Sequence, residues 1–214
     1  MNAHDIATPH KRERRKQDRP GELLEAALDL FVEKGFSATR SEEVAARAGV
    51  SKGTLFLYFP SKEELFKAVV RENLVRPVRE GAAEIASFQG GSGELLEHLM
   101  LEWWRRYGAT KASGISKLMI SEAAKFPDLA RFYREEVIQP GLDMVRAVLQ
   151  RGVQRGEFRP VEIDLATQSV IAPLMFIVMW KHAMGACSPV DVNLDPESFI
   201  RQHAQLLVRG LSHP

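Results

Sequence analysis

The chain has 214 residues, 45% of them hydrophobic and 27% charged, with 29 basic residues against 28 acidic ones and a formal net charge of +1. That length exceeds a single small module and leaves room for two domains, while the near-neutral balance gives no overall signature of a polyanion binder. The lone Cys187 excludes an intramolecular disulfide framework and any multi-cysteine metal site.

Residues 1–16 carry Lys11, Arg12, Arg14, Arg15 and Lys16, with little acidic offset and no apolar periodicity. They are expected to form a mobile basic arm that attracts phosphates without regard to sequence.

Further along, Thr39-x-x-Glu42 has the spacing of a capping box, in which side chains satisfy amides that the first helical turn leaves unpaired. Val44, Ala45 and Ala48 then share one face of a short helix, and Gly49 supplies the left-handed backbone needed for a tight turn. Val50 anchors that turn, and Ser51 is a good N-cap for a second helix. Its amino end reads Lys52-Gly53-Thr54: a charge, a residue that permits close backbone approach, and a hydroxyl with a methyl group. Leu55, Phe56 and Phe59 hold this helix down, and a second box, Ser61-x-x-Glu64, follows Pro60 and starts the next one with Lys62 in its first turn. Two short capped helices hinged at Ala-Gly-Val spell a helix-turn-helix that presents the face around Lys52 to duplex DNA. Leu57 meets a thymine methyl or packs inward, and Arg47 contacts DNA or decorates a solvated face.

Beyond this segment, apolar residues keep helical spacing through spans of about 61–87, 94–108, 113–125, 128–155 with a bend near Pro140-Gly141, 162–184 and 196–211. Nothing alternates as a strand would, so the fold is expected to be all-α. Gly90-Gly91-Ser92-Gly93 lacks the lysine and preceding strand of a phosphate loop and reads as a linker. Met100, Trp103 and Tyr107 share a helical face, whereas Trp104 lies about 100° around from Trp103. Met119, Phe126, Phe132, Met144, Phe176, Met179 and Trp180 add large adaptable groups that serve as core or as cavity wall. The apolar run Val170 to Trp180 is shorter than the roughly 20 residues that cross a bilayer, and no amino-terminal segment resembles a signal peptide, so a soluble cytoplasmic protein is expected. The second half of 162–184 is apolar nearly all round and needs a second burial surface, which a partner chain can supply. Six histidines show no metal-ligand spacing and no nucleophile motif occurs, so no metal, cofactor or enzymatic activity is expected.

Ala48 to Leu55, with Tyr58-Phe59 and Ser61-Lys62-Glu63-Glu64-Leu65, resembles the DNA-binding domain of the TetR/AcrR family of bacterial transcription regulators. The likeness extends upstream through Leu23 to Ala27, Leu30 and Phe31, which look like the family's first helix, to its glycine stop at Gly35-Phe36, and covers Gln17 to Pro77. The resemblance implies a three-helix DNA-binding domain over 17–77, with its helix-turn-helix near 40–59, and a helical effector-binding and dimerisation domain over 78–214. Carried onto matching positions, it assigns DNA contacts to Thr39, Lys52, Gly53, Thr54, Tyr58 and Lys62; Arg40, Ser51 and Leu57 complete the expected reading surface. Phe56 stands where the family usually has tyrosine, so a phosphate contact through that hydroxyl is absent.

The same resemblance implies a cavity for a small apolar or amphipathic effector, with Met100, Trp103, Trp104, Tyr107, Met119, Phe126, Phe132, Met144, Phe176, Met179 and Trp180 as candidate lining. It implies that the last helix, with Phe199, His203, Leu206, Leu207 and Gly210 along one side, pairs with its neighbour in a four-helix dimer interface. The expected function is that of a homodimeric repressor, released by its effector from a pseudo-palindromic double-stranded operator, with no membrane partner. Its reading helices would meet major grooves about 34 Å apart, and helix 61–87 would be the lever. A transcriptional activator, an apolar-ligand carrier that does not bind DNA, and an enzyme using the cavity are the alternatives.

Overall fold

Leu23, Ala26, Ala27, Leu30 and Phe31 recur at helical spacing and form the buried face of α1 (Pro9–Ala38). The structure, a computed structural model, describes residues 9–185 and 194–213. The backbone is helical from Pro9, so residues 9–16, expected as an unstructured arm, continue α1; residues 1–8 of that arm, Cys187 and the Ser188-Pro189 punctuation lie outside the described residues. Gly35 breaks the helix at φ 86° and ψ 168°, a conformation that penalises any Cβ, and so provides the expected stop.

Two compact units divide the chain at Val69/Val70, ahead of the boundary expected after Pro77. The first contains α1, α2 (Ser41–Arg47), α3 (Lys52–Tyr58) and most of α4 (Lys62–Val70). Its core is an aromatic triad, Phe31, Phe36 and Phe66, with ring centroids 5.4–5.6 Å apart and Phe66 edge-on to the other two. Val44, Ala45 and Leu55 bring α2 and α3 down against this core.

The second unit consists of α5 (Arg76–Ser87), α6 (Ser92–Trp103), α7 (Gly114–Glu122), α8 (Pro127–Tyr133), α9 (Gln139–Gln154), α10 (Ile163–Met179) and α11 (Pro196–Leu211). No strand occurs among the described residues. Four π-helical turns interrupt these helices, at Arg71–Val75, Trp104–Gly108, Arg134–Ile138 and Trp180–Met184. Two of them lie just before Pro77 and Pro140, which have no N–H for the carbonyl four residues back, so the widened turn is a local answer to a missing donor. Where a bend was expected near Pro140-Gly141, the irregularity is the π turn Arg134–Ile138 just before it. Arg71 and Glu136 join these two turns through a 2.9 Å ion pair.

Leu95, Leu96, Met100, Val148, Leu149, Leu174, Ile177, Val178, Ile200 and Ala204 form the core where α6, α9, α10 and α11 meet. Gly152 is required by packing: a Cβ there would stand 2.1 Å from the Phe158 ring. Phe158 in turn donates its N–H to the Gly152 carbonyl at 3.0 Å. By length and mean hydropathy Ile163–Ala183 would suffice to cross a membrane, contrary to the shorter run counted from sequence. In the structure one side of it enters the core through Val170, Leu174, Ile177 and Val178, while Leu165 and Phe176 remain exposed on another.

Candidate functional site

The turn between α2 and α3 is held by two backbone hydrogen bonds, from Gly49 N to Ala46 O at 3.1 Å and from Val50 N to Ala45 O at 2.9 Å. With Gly49 at φ 66°, this is the double-bonded C-terminal motif that the glycine makes possible. Ser51 then caps α3 by accepting from Thr54 N at 3.1 Å, and its Oγ lies 2.9 Å from Thr54 Oγ1. Ser61 caps α4 in the same way through Glu64 N at 3.1 Å.

The first cap differs from the expected one. Arg40, not Thr39, is the N-cap of α2, and the Glu43 carboxylate accepts from Arg40 N at 3.1 Å. Thr39 is 1% exposed, and its hydroxyl donates to Gly35 O at 2.7 Å with Leu30 O at 3.2 Å. It belongs to the packing under the α1–α2 corner and is withdrawn from the exposed surface on which a DNA contact was expected. The reason is tertiary: the loop after Gly35 folds its hydroxyl back onto α1. Lys62 is also turned inward, donating to Phe36 O at 2.9 Å and Thr39 O at 3.0 Å with its ammonium 4.4 Å from the Phe36 ring centre.

Lys52, Gly53 and Leu57 remain on the outer face of α3, and Arg40 is exposed at the start of α2. Leu57 is 85% exposed, which removes the packing alternative. A Cβ on Gly53 would meet nothing closer than Ser51 Oγ at 3.8 Å, so nothing in the fold requires a glycine there. Lys52 pairs with Glu42, and this hydrogen bond first, then the carboxyl's own backbone N–H, hold that carboxyl below its usual range, with charge attraction a smaller contribution. Thr54 and Tyr58 are half-buried. Arg47, open between two readings in the sequence, straps α2 to α1 through a two-pronged pair with Glu33 at 2.8 and 3.0 Å.

In the second unit a cavity of about 120 Å³ lies among α5, α6, α9, α10 and the adjoining π turns. Of the expected lining, Met100, Trp103, Tyr107 and Met144 face it. Trp104, Met119, Phe126, Phe132, Phe176, Met179 and Trp180 do not. Trp104 points to the far side of its helix, where its ring fills the space a Cβ on Gly108 would need. Met119 and Phe132 are buried away from the cavity, with the Arg71 guanidinium 5.0 Å above the Phe132 ring. Phe176 lies on the outer side of α10, with Trp180 5.9 Å and Phe199 6.3 Å away by ring centres.

Sequence reasoning missed the α5 wall, Pro77, Val78, Gly81 and Ile85, and the charged rim, Glu84, Glu102 and Arg106. A strong amphipathic pattern in α5 was a signal available for the former; the rim is assembled only by folding. Arg106 makes two parallel bonds to Glu84 (2.8 and 2.9 Å) and a third to Glu102 (3.0 Å). Burial pushes the Glu102 carboxyl up, but Arg105 and Arg106 outweigh it and leave the group below its usual range. Behind the cavity wall the Tyr107 and Tyr133 hydroxyls share Ser116 Oγ at 2.6 and 3.0 Å, and burial raises both phenols.

Phe199, His203, Leu206, Leu207 and Gly210 lie on α11 as expected. Leu206 is exposed, Phe199 and Leu207 are half-buried against the core, and Gly210 is exposed with its carbonyl accepting from Arg159 Nε at 2.8 Å. His203 stacks on Phe199 with its ring Nε2 3.2 Å from Ser169 O on α10. Phe176, assigned to the cavity from sequence, extends this surface across α10.

Residues 23–69 match the family described as bacterial regulatory proteins, tetR family, and residues 92–186 match the family described as tetracyclin repressor-like, C-terminal domain. The chain is similar to the HTH-type transcriptional regulator YfiR of Bacillus subtilis, 31% identical over 162 residues that make up 75% of this chain and 77% of the relative. It is similar to the HTH-type transcriptional repressor KstR2 of Mycobacterium tuberculosis, 28% identical over 81% of this chain and 86% of that one. Among solved structures, the fatty acid degradation regulator FadR from Bacillus halodurans shares the fold with a TM-score of 0.74 at 24% identity, covering 92% of this chain and 97% of that chain.

Proposed function

The chain belongs to the TetR family of bacterial regulatory proteins, and from that premise we propose a homodimeric repressor that reads DNA with α3 and leaves its operator when a small apolar or amphipathic molecule fills the cavity of the second unit. The observation that carries the DNA reading is the outer face of α3. Leu57, a large apolar side chain held 85% exposed on a rigid capped helix, costs solubility unless something covers it. A thymine methyl in the major groove is a suitable cover, Gly53 one turn earlier allows close approach to the backbone, and Lys52 exchanges Glu42 for phosphate. Arg40, Thr54 and Tyr58 flank this face, while Ser51 fixes the start of the helix.

Dimerisation would use the exposed aromatic surface of α10 and α11, where Phe176, Trp180, Phe199 and Leu206 stand uncovered or half-covered. A twofold pair sets two α3 helices at the spacing of successive major grooves, which explains a pseudo-palindromic operator. Release by a hundredfold requires about 2.7 kcal/mol of coupling, and bound DNA must weaken the effector by the same factor. The α4–α5 stretch is the proposed lever, because α5 walls the cavity and follows α4 in the chain with only the π turn Arg71–Val75 between them.

The test is selection of bound fragments from the source genome, followed by titration of the enriched site. The wild type is expected to prefer that site over random competitor, with affinity falling steeply as salt rises. Lys52→Ala and Leu57→Ala are expected to lose at least about tenfold in affinity, of the order of one base contact, with melting and dimerisation unchanged. A folded dimer that enriches no fragment would overturn the reading.

A further inference from the structure

The rim of the cavity constrains the chemistry of its guest. At about 120 Å³ the cavity, partly open to solvent, is smaller than the roughly 150 Å³ that admits benzene in an engineered core, and far below the ~300 Å³ at which ordinary ligand sites begin. A larger guest is therefore fully enclosed only if a wall moves. The α5 wall is tied to the π turn after α6 by the two-pronged bond between Glu84 and Arg106. That bond has the geometry with which a guanidinium takes any carboxylate.

Charge decides what can replace it. Among the lining side chains, the two carboxylates of Glu84 and Glu102 face the single guanidinium of Arg106. An anionic head cannot simply be added; it must displace a carboxylate. Glu102 is held by Arg105 as well as Arg106 and is 23% exposed, whereas Glu84 is 47% exposed and can retire into water. A cationic head would be drawn between the two glutamates and would fasten α5 where it is. A neutral head offers Arg106 no charge to compensate the one it gives up.

We propose that the effector is an apolar molecule with a carboxylate head, and that Glu84 is the internal stand-in for that head on Arg106. Binding exchanges one carboxylate for another at the same guanidinium, so the free energy of head-group recognition goes directly into releasing α5. This inference rests on the cavity being the effector site, as proposed above.

Calorimetric titration of the full-length protein with octanoate, 1-octanol and octylammonium tests it without DNA. Glu84→Gln is expected to bind octanoate about tenfold more tightly than wild type, a change of the size that one exposed charge competitor can cause, while octanol shifts less than about twofold. Glu80→Gln, an exposed carboxylate one turn away on α5, should leave octanoate binding as in wild type. Arg106→Gln should bind acid and alcohol alike. Octanoate and octanol tightening together in Glu84→Gln would make Glu84 a mere lid. Octylammonium bound more tightly than octanoate, or no octanoate binding by either wild type or Glu84→Gln, would overturn the proposal. Operator preference of the wild type is measured separately, so loss of the carboxylate inference and loss of the regulator reading are distinguishable.

Discussion

Replacing Thr39 by valine separates a core role from a DNA role at one atom. The substitution keeps the shape and removes the hydroxyl, which donates to Gly35 O at 2.7 Å in a site 1% exposed. A part-buried carbonyl deprived of its donor costs about 1–2 kcal/mol. With a urea slope of about 1–3 kcal/mol per molar, the midpoint of the first unit should fall by about 1 M. Trp103, Trp104 and Trp180 all lie in the second unit, so unfolding of the first must be followed by far-ultraviolet circular dichroism instead of tryptophan emission. Below the transition, affinity for the selected operator should stay within about twofold of wild type, since a group this deep forms no interface contact. Unchanged stability with a tenfold loss of DNA affinity would return the hydroxyl to the reading surface and refute the buried assignment.

Gly49→Ala should destabilise the first unit by roughly 1–2 kcal/mol, the cost of a left-handed backbone in a residue with a Cβ. Because the added methyl would meet nothing within 4 Å, the loss is conformational alone; a urea midpoint equal to that of wild type would contradict it. Phe176→Asp should yield monomers in analytical ultracentrifugation without lowering the melting temperature of the subunit. Ile120→Asp, on a still more exposed apolar position of α7, should leave the dimer intact. Loss of the dimer in both, or in neither, would move the interface elsewhere.

Much of the molecule was legible because the determining forces are local. Helix starts at Ser51 and Ser61, the stop at Gly35 and the turn at Gly49 follow from which side chains can satisfy or permit a given backbone conformation within four residues. Periodicity placed the second-unit helices for the same reason, and the all-α class with it. The residues that carry the family likeness sit in these locally determined turns, which is why the function could be read there.

What a side chain does once its helix is docked was not legible. Thr39, between α1 and α2, and Lys62, in the first turn of α4, both read as surface polar residues, and only the fold of the α1–α2 corner turns them inward onto carbonyls. Trp103 and Trp104 diverge by helical geometry, yet which of them meets the cavity depends on where α5 and α10 come to rest. Phe176 was assigned to the cavity and lies on the outer face, because a helix apolar on nearly every side carries no mark of which side is covered by its own chain. The rim of Glu84, Glu102 and Arg106 joins two helices through charges that are unremarkable in each. Sequence alone determined the all-α class, the run of helices and the reading turn through short-range backbone chemistry; tertiary packing alone decided which faces are buried, which are open, and which charges meet.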